Sequence, residues 1–533
     1  MTQFLDIFGF LSVLLRGVLL SFEALTIGAI VFTCIIAYPL AGAVVAKDIL
    51  RWGRYSALLL TATYTCSVAA NSAILLGSTD LKLADLFGAG FWRAGLLGSG
   101  AALTIIFFSR TRWWRAAGLI ACVGILIASV ITSHSNARLE QRWILIAATL
   151  VHHASGAIWI GGLPYLLITL PRSSPAAANA IIKRFSQLAM ISVALLVGAG
   201  AALGCMFVGS GLAAIGTTYG IMLMAKIALM AILLLLGALN WHIVRAVNKG
   251  HNPEIFALRR FAEAEIGIGF TVLLAAASLT STPPGADVLA DRVTPHEIAQ
   301  RMNPRWPRLQ TPSFAELSPA TPLNISERPE LPGSFVPGQR RRVNSLADIA
   351  WSEYNHHWAG LVVLSIGILA ICARFSLKWA RHWPLAFLGL AVFLLIRADS
   401  ENWPLGPRGF WESFQVAEVA QHRLFVLLIV LFAVFEWAVQ TSRVAPRRAA
   451  LVFPMVCAIG GALLMTHSHS LGNVKEEFLA EMSHLPLAIF AVVAGWSRWL
   501  ELRLPGNRAR VASAIWPVCF LLIGVILVLY RES

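Results

Sequence analysis

Long apolar runs recur along almost the whole chain, and they constrain its fold more than any other feature. A helix that crosses a lipid bilayer needs about 20 mostly apolar residues. The 533-residue sequence contains about fourteen such runs, eight followed by six. We therefore predict an all-α fold, a polytopic transmembrane helix bundle. The predicted helices are 13–37, 54–77, 91–109, 113–132, 143–168, 184–208, 219–243, 260–280, 356–374, 382–397, 419–439, 447–466, 484–501 and 511–530.

The composition agrees with this prediction and excludes a chain of soluble domains. Hydrophobic residues make up 57% of the sequence and charged residues 13%, whereas soluble domains average roughly 45–50% and 25%. The formal net charge of +15 would suggest nucleic-acid binding in a soluble protein. Membrane proteins, however, collect Lys and Arg in their cytoplasmic loops, so no nucleic-acid partner is predicted.

Residues 281–350 separate the two groups of helices and differ from both. Eleven prolines interrupt this polar stretch, which has no apolar periodicity. Such a segment does not bury enough apolar surface to fold alone, so we predict an extended connector. Trp306 or the Arg340–Arg342 run would hold it against the membrane domain. The predicted domains are an N-terminal membrane domain at 1–280, this connector and a C-terminal membrane domain at 351–533.

Basic residues in the short loops indicate the orientation of the chain. If the helix count is right, the Lys and Arg clusters of these loops all lie on one side. The clusters include Arg51, Arg112, Arg259, Arg381 and Arg508. The positive-inside rule assigns that side to the cytoplasm. Both termini and the Pro-rich connector are therefore predicted to lie outside it.

The histidines are distributed unequally between the two faces. Nine are predicted at or near the non-cytoplasmic face, and three at the cytoplasmic face. Imidazole is the commonest metal ligand, and it suits copper, zinc and iron. A one-sided cluster of this size is hard to explain by packing, so we interpret it as a set of candidate metal ligands. The nine are His134, His152, His153, His356, His357, His422, His467, His469 and His484.

Softer ligands are predicted in the same leaflet. Thioether and thiolate groups beside imidazole favour Cu(I) over hard cations. Because Met also fills apolar gaps, any single one of these residues is more often a core residue than a ligand. The candidate soft ligands are Cys205, Met206, Met222, Met224, Met465 and Met482.

The histidine pairs differ in what their spacing predicts. His467 and His469 are two residues apart where the chain leaves the membrane, so in extended backbone they would point the same way and chelate one ion. His152 and His153 lie within a helix, where successive residues point about 100° apart, so both need not be ligands. His356-His357 opens a helix and is either a ligand pair or an interfacial anchor.

Ionisable residues inside the predicted helices are functional candidates, because charge within the bilayer is costly. Lys226 is one, with snorkelling to the interface as the alternative. Glu418 and Glu481 are candidates for ion coupling. Arg16 and Glu23 are seven residues apart on one helix face, and we interpret them as an internal structural pair.

A series of segments resembles the copper-resistance D (CopD/PcoD) family. HHASGAIWIGGL, from His152, resembles the family's H…WxGGL segment. RFSQLAMISVALLVGAG from Arg184, YGIMLMAKIALMAILLLLGALN from Tyr219 and RRFAEAEIGIGFTVLLAAASLTSTPP from Arg259 follow in the family's order. The second half is similar to the C-terminal extension of longer members, in RADSENWPLGPRGFWES from Arg397, QHR from Gln421, THSHSLGNVKEEFLAEMSH from Thr466 and GWSRWLELRLP from Gly495.

The resemblance implies a multi-pass protein of the bacterial inner membrane that handles copper delivered from the periplasm. It also implies a separate CopC-like periplasmic copper carrier as partner, since no β-rich carrier domain is present in this chain. The family's metal-binding role is carried over only to histidines in matching segments. These are His152, His153, His356, His357, His422, His467, His469 and His484.

The leading hypothesis is a non-enzymatic copper transport or copper tolerance protein that binds Cu(I) or Cu(II). Copper would be captured at the periplasmic face by the His/Met cluster and passed inward through His152 or His153. A membrane b-type haem protein or metalloreductase is the first alternative, because histidines on adjacent helices also ligate haem. A non-transporting or sensory copper-binding protein is the second.

Overall fold

We describe a computed structural model of the chain, covering residues 2–248, 255–288, 292–312, 346–399, 402–415, 417–466 and 478–532. The chain divides into two compact units, the first formed mainly by residues 1–290 and the second mainly by residues 291–533. Within the described residues the structure is helical, and its one β-bridge joins Asn402 and Arg408. This confirms the predicted all-α fold.

Eight long helices form the first unit. They are α1 (Thr2–Phe32), α2 (Tyr38–Ser78), α3 (Gly90–Phe108), α4 (Trp114–Ile131), α5 (Arg142–Thr169), α6 (Pro175–Val208), α7 (Thr218–Asn248) and α8 (Ile255–Leu279). Short helical turns join some of them, at Leu83–Leu86, His134–Ala137, Leu170–Arg172 and Gly211–Gly216. Helix α1 packs against α2, α5 and α8, so it lies at the centre of the unit.

The connection between α1 and α2 differs from the prediction. The sequence predicted a cytoplasmic loop over 38–53, but the chain continues there as helix after a π-helical turn at Thr33–Ala37. The chain changes direction at Gly42, whose φ of 84° and ψ of 175° suit a residue without a Cβ atom. The prediction was wrong because Lys47 and Arg51 favour water without disfavouring helix, so α2 extends beyond the apolar run.

Glycines allow α1 and α5 to pack closely. A Cβ atom added at Gly28 would overlap the backbone of Gly161, and one added at Gly161 would overlap the backbone of Ala24. Small residues at helix crossings are a main source of packing energy in membranes, where water does not drive helices together. Part of the WIGGL segment is therefore a helix-packing element.

Six long helices form the second unit. They are α9 (Leu346–Arg374), α10 (Ala386–Arg397), α11 (Ala417–Gln440), α12 (Val452–Leu464), α13 (Phe478–Arg503) and α14 (Gly506–Val528). Shorter elements lie at Pro295–Arg301, Lys378–Leu385, Glu412–Gln415 and Pro446–Ala449. Helix α14 packs against α9 and α13, and the core contains the contacting rings of Trp383, Phe453 and Phe520.

Twelve stretches of the described residues are long and apolar enough to cross a membrane. The first, Phe8–Gly77, contains most of α1 and nearly all of α2, and α12 is a further apolar helix of 13 residues. At 1.5 Å per residue α12 is about 20 Å long, which is short for a span of roughly 30 Å. The chain is thus a multi-pass membrane protein.

The Pro-rich connector is held by residues other than the predicted ones. Trp306 is 95% exposed and holds nothing, while Arg340–Arg342 lies outside the described residues. In the second unit, Arg308 and Leu309 make such contacts instead. The Arg308 backbone bonds to His357, and the Leu309 carbonyl accepts a hydrogen bond from the Trp358 indole at 3.2 Å.

Candidate functional site

His152 and His153 lie on α5 and point towards different neighbours, as the helical geometry predicted. His152 Nδ1 lies 3.0 Å from the carbonyl oxygen of Leu196 on α6. Gly200, one turn further along α6, makes room for the ring, since a Cβ atom there would lie 3.0 Å from His152 Cε1. His153 Nδ1 lies 3.0 Å from the Ser129 hydroxyl on α4. The two ring centroids are 6.3 Å apart.

Lys226 of α7 lies close enough to both imidazoles for its charge to act on them. The sequence identified this lysine as a functional candidate but named no neighbour for it. Its half-buried position beside His152 and His153 places a cation next to the histidine pair.

Glu23, which is buried, and Arg16, which is half-buried, belong to a polar group that the sequence did not predict. Glu23 accepts a hydrogen bond of 2.6 Å from Tyr64, and Arg16 donates one of 3.0 Å to Thr132. Within the described structure they form no direct ion pair, although the charge of Arg16 acts on Glu23. The sequence predicted an internal pair of Arg16 and Glu23, whereas the structure shows a wider group. The reason is that residues of α2, and residues in and just after α4, lie nearer to each of the two.

This polar group reaches His153 through Ser129. The Ser129 hydroxyl contacts His153 Nδ1 and also lies close enough to Glu23 to interact with it. In the sequence, one sign of this polar group was Tyr64, a polar side chain in the middle of a predicted helix. It was missed because an apolar pattern does not show which faces of α1, α2 and α4 meet.

The candidate soft ligands of the first unit are dispersed. Met222 is 2% exposed, and its sulfur accepts a hydrogen bond from Ser278 at 3.6 Å. Met224 and Cys205 are exposed, so they face away from this core. Met206 is half-buried, and its carbonyl accepts a hydrogen bond of 3.2 Å from Arg138.

His134 lies on the short turn after α4. Its ring packs edge-on against Phe207 at a centroid distance of 6.2 Å, beside the backbone of Thr280 and Thr282. Burial lowers the pKa of His134, so its imidazole is predominantly neutral near pH 7.

In the second unit, the structure brings His356 and His484 together around Tyr530. The His356 ring stacks on Tyr530 at 3.8 Å, and His484 lies edge-on to both at 5.9 Å. Burial and the Glu532 carboxylate raise the pKa of Tyr530, so the phenol stays protonated and donates to Glu532 at 2.6 Å. Ser352 donates to the same carboxylate oxygen at 2.5 Å. The sequence did not predict the part played by Tyr530.

His357 is fully buried and fully hydrogen-bonded. Its Nδ1 accepts from the backbone N–H of Arg308 at 2.7 Å, and its Nε2 donates to the Tyr530 carbonyl at 3.0 Å. Since a neutral imidazole has one donor and one acceptor, both are in use. In this arrangement His357 holds the Pro-rich connector to α9 and has no lone pair for a metal ion.

The other predicted ligands of this unit are separate from that cluster. His422 bonds through Nδ1 to Asp399 at 2.9 Å. Met465 and Glu481 are buried, and Met482 is half-buried. His467 and His469, as well as the side chain of Glu418, lie outside the described residues.

No group of three or more His, Cys, Asp or Glu side chains in the described parts of the chain is placed to hold one metal ion. The structure therefore offers pairs of imidazoles: His152 with His153 in the first unit and His356 with His484 in the second. The rings of the second pair are nearly perpendicular, and both pack against Tyr530.

Comparison with known proteins matches residues 179–279 to the family described as copper resistance protein D. Copper transport protein CutJ of Bacillus subtilis (strain 168) is 30% identical over 180 residues, which are 33% of this chain and 32% of that protein. The match thus spans about a third of the relative's length. No solved structure matches the chain.

The family match covers most of α6, all of α7 and α8, and none of the second unit. It begins after the HHASGAIWIGGL segment, so the resemblance of that segment and of the C-terminal half stays a prediction. Both descriptions concern copper resistance or copper transport. Residues 179–279 of this chain are thus similar to the copper resistance protein D family.

Proposed function

We propose that this protein moves copper across the bacterial inner membrane, in copper transport or copper tolerance. The position of His152 and His153 beside the family-matched helices is the observation that carries the proposal. His152 bonds to Leu196 of α6, and Lys226 of α7 lies beside both rings. Both partners fall within the matched residues 179–279. The histidine pair thus adjoins the segment that relates this chain to copper proteins.

The arrangement of the ligands favours passage over storage. A permeating ion needs sites that bind it well enough to admit it and weakly enough to release it. A pair of imidazoles with no third His, Cys, Asp or Glu ligand among the described residues fits that need better than a closed site would. Buried Met222 supplies a soft thioether further along the first unit, which suits Cu(I).

Copper capture is assigned to the periplasmic side, where the basic loops predict that the termini lie. His356 and His484, which lie together in the second unit, are the proposed capture ligands on that side. His467 and His469 remain candidate capture ligands on sequence grounds. A separate CopC-like carrier would deliver the ion to this face.

Coupling to another ion is the remaining part of the proposal. The sequence contains no ATP-binding P-loop, so copper moves either downhill or with a coupling ion. Lys226, Glu418 and Glu481 are the candidate protonatable groups. Of these, Lys226 is supported by its place beside the histidine pair.

Copper uptake into proteoliposomes tests the transport proposal. A His152→Ala/His153→Ala double variant should lose most of the uptake that the wild-type protein supports. His242→Ala is the matched control, since His242 is an exposed histidine of the same unit. Uptake that survives in the double variant, or none in the wild type despite bound copper, would contradict transport through this pair.

Metal content and an absorption spectrum of the purified protein separate copper from haem. We expect bound copper and no Soret band. A Soret band that shifts on reduction with dithionite would instead favour the haem or metalloreductase alternative. Bound copper without uptake would favour the sensory alternative.

A further inference from the structure

The polar group around His153 is buried among apolar helices and must satisfy its own hydrogen bonds. Glu23 is 5% exposed, Tyr64 3% and Ser129 1%. They come from α1, α2 and α4, so three helices contribute to one cluster. Polar groups at membrane depth are costly unless they are paired, and such clusters usually mark functional sites. The inference drawn from this cluster rests on the proposed function.

The contacts of Glu23 define the direction of the hydrogen bonds. Tyr64 donates to Glu23 Oε1 at 2.6 Å, and the charge of Arg16 acts on the carboxylate. A carboxylate only accepts hydrogen bonds, so with Glu23 ionised every neighbouring hydroxyl donates to it. The Ser129 hydroxyl therefore donates towards Glu23. Its oxygen is then left to accept from His153 Nδ1, 3.0 Å away.

This direction determines the tautomer of His153. A neutral imidazole with its proton on Nδ1 carries its lone pair on Nε2. His152 has the same tautomer for a simpler reason, since its Nδ1 faces the Leu196 carbonyl, which only accepts. Neither Nε2 atom has a hydrogen-bond partner among the described residues. Both lone pairs are available to a metal ion.

We propose that Glu23 and Ser129 are positioning residues for copper, which hold His153 with Nδ1 protonated and Nε2 ready to bind. Metal-binding histidines almost always donate their other ring N–H to a carboxylate, a carbonyl or water, and loss of that partner typically weakens binding by about 10–100-fold. Here the carboxylate acts through a serine hydroxyl. Tyr64 and Arg16 keep the carboxylate in place as an acceptor.

Copper affinity of the full-length protein is the first test. Ser129→Ala and Glu23→Gln should each weaken copper binding by about 10–100-fold, and Ser129→Thr, which keeps the hydroxyl, should restore it. Glu265→Gln is the matched control, because Glu265 is a 3% exposed glutamate of the same unit that bonds to Asn240 instead. Thermal unfolding of each variant identifies any that fails to fold.

The tautomer of His153 is the second test and needs no copper. Nitrogen-15 NMR of histidine-labelled protein should show the Nδ1–H form in the wild type and a mixture in Ser129→Ala. A proton on Nε2 in the wild type, or a Ser129→Ala variant with unchanged tautomer and copper affinity, would overturn the positioning role. Copper binding that is undiminished in the His152→Ala/His153→Ala variant would instead overturn the proposed function, and the NMR result would still decide the tautomer.

Discussion

At the scale of single residues, His134 makes the stability of the first unit depend on pH. Burial lowers its folded-state pKa below the unfolded value of about 6.5. Its contribution to stability is therefore complete above that value and is lost as the pH falls towards the folded-state pKa. The His134→Gln variant should lose less stability than the wild type between about pH 7.5 and pH 5. Thermal unfolding in detergent at the two pH values measures the difference.

His242 supplies the control for that comparison. It is exposed on α7, so His242→Gln should respond to pH as the wild type does. If His134→Gln and the wild type lost stability equally on acidification, the buried His134 would not be the residue responsible.

The sequence alone identified the candidate metal-binding histidines, but it did not identify their hydrogen-bond partners. The one-sided distribution of histidines indicated His152, His153, His356 and His484 without any coordinates. Whether each is free to bind depends on what lies opposite its two ring nitrogens, and only the packing of helices decides that. His357 is the clearest case, because its neighbours Arg308 and Tyr530 are distant in the sequence and occupy both nitrogens.

At the scale of helices, the close crossing of α1 and α5 predicts an effect of one added methyl group. Gly161→Ala would push a Cβ atom into the backbone of Ala24, so the helices must separate. Overpacking typically costs about 1–3 kcal/mol, and a clash with backbone lies at the upper end because neither helix has a side chain to move aside. Reversible unfolding in mixed micelles should show this loss.

Gly198 of α6 is the matched control for that substitution. A Cβ atom there would meet nothing within 4 Å, so Gly198→Ala should be neutral or slightly stabilising. A Gly161→Ala variant as stable as Gly198→Ala would mean that α1 and α5 do not cross at this glycine.

A second prediction at this scale concerns the segment of the Pro-rich connector that α9 holds. His357 binds the Arg308 backbone, and Glu353, one turn earlier, lies 3.7 Å from the Arg308 guanidinium. His357→Ala removes one partner and leaves buried polar groups unpaired, at a cost of about 1–3 kcal/mol for each such group. The connector should then be cut by trypsin at Arg308 several times faster. Trp306→Ala, which alters a residue exposed to 95%, should not change that rate.

The helices themselves were the part of the fold that the sequence predicted best. Apolar length alone identifies a spanning segment, and the eight and six long helices of the described structure match the predicted fourteen. The helix ends were less predictable, as residues 38–53 show, because a helix continues into water wherever its residues favour it. The domain limits at 280 and 351 stay predictions.

At the scale of the whole molecule, the distribution of basic residues predicts the orientation of the chain. If all fourteen predicted helices cross the membrane, both termini lie on one side and the clusters of Arg and Lys on the other. An alkaline phosphatase domain fused after Ser533 should therefore be active, because its disulfides form only in the periplasm. A fusion truncated after Arg508 lacks nearly all of α14 and should be inactive.

The pair of fusions differs by one helix, so their comparison tests the number of crossings as well as the orientation. Activity in both, or in neither, would mean that α14 does not cross the membrane. Activity only in the fusion after Arg508 would place the termini in the cytoplasm. His356, His484 and Tyr530 lie near the start of α9, the start of α13 and the end of α14, which are all on one side if the crossings are right. Activity only in the fusion after Arg508 would therefore place the proposed capture histidines at the cytoplasmic face, and copper export would then be the direction to test.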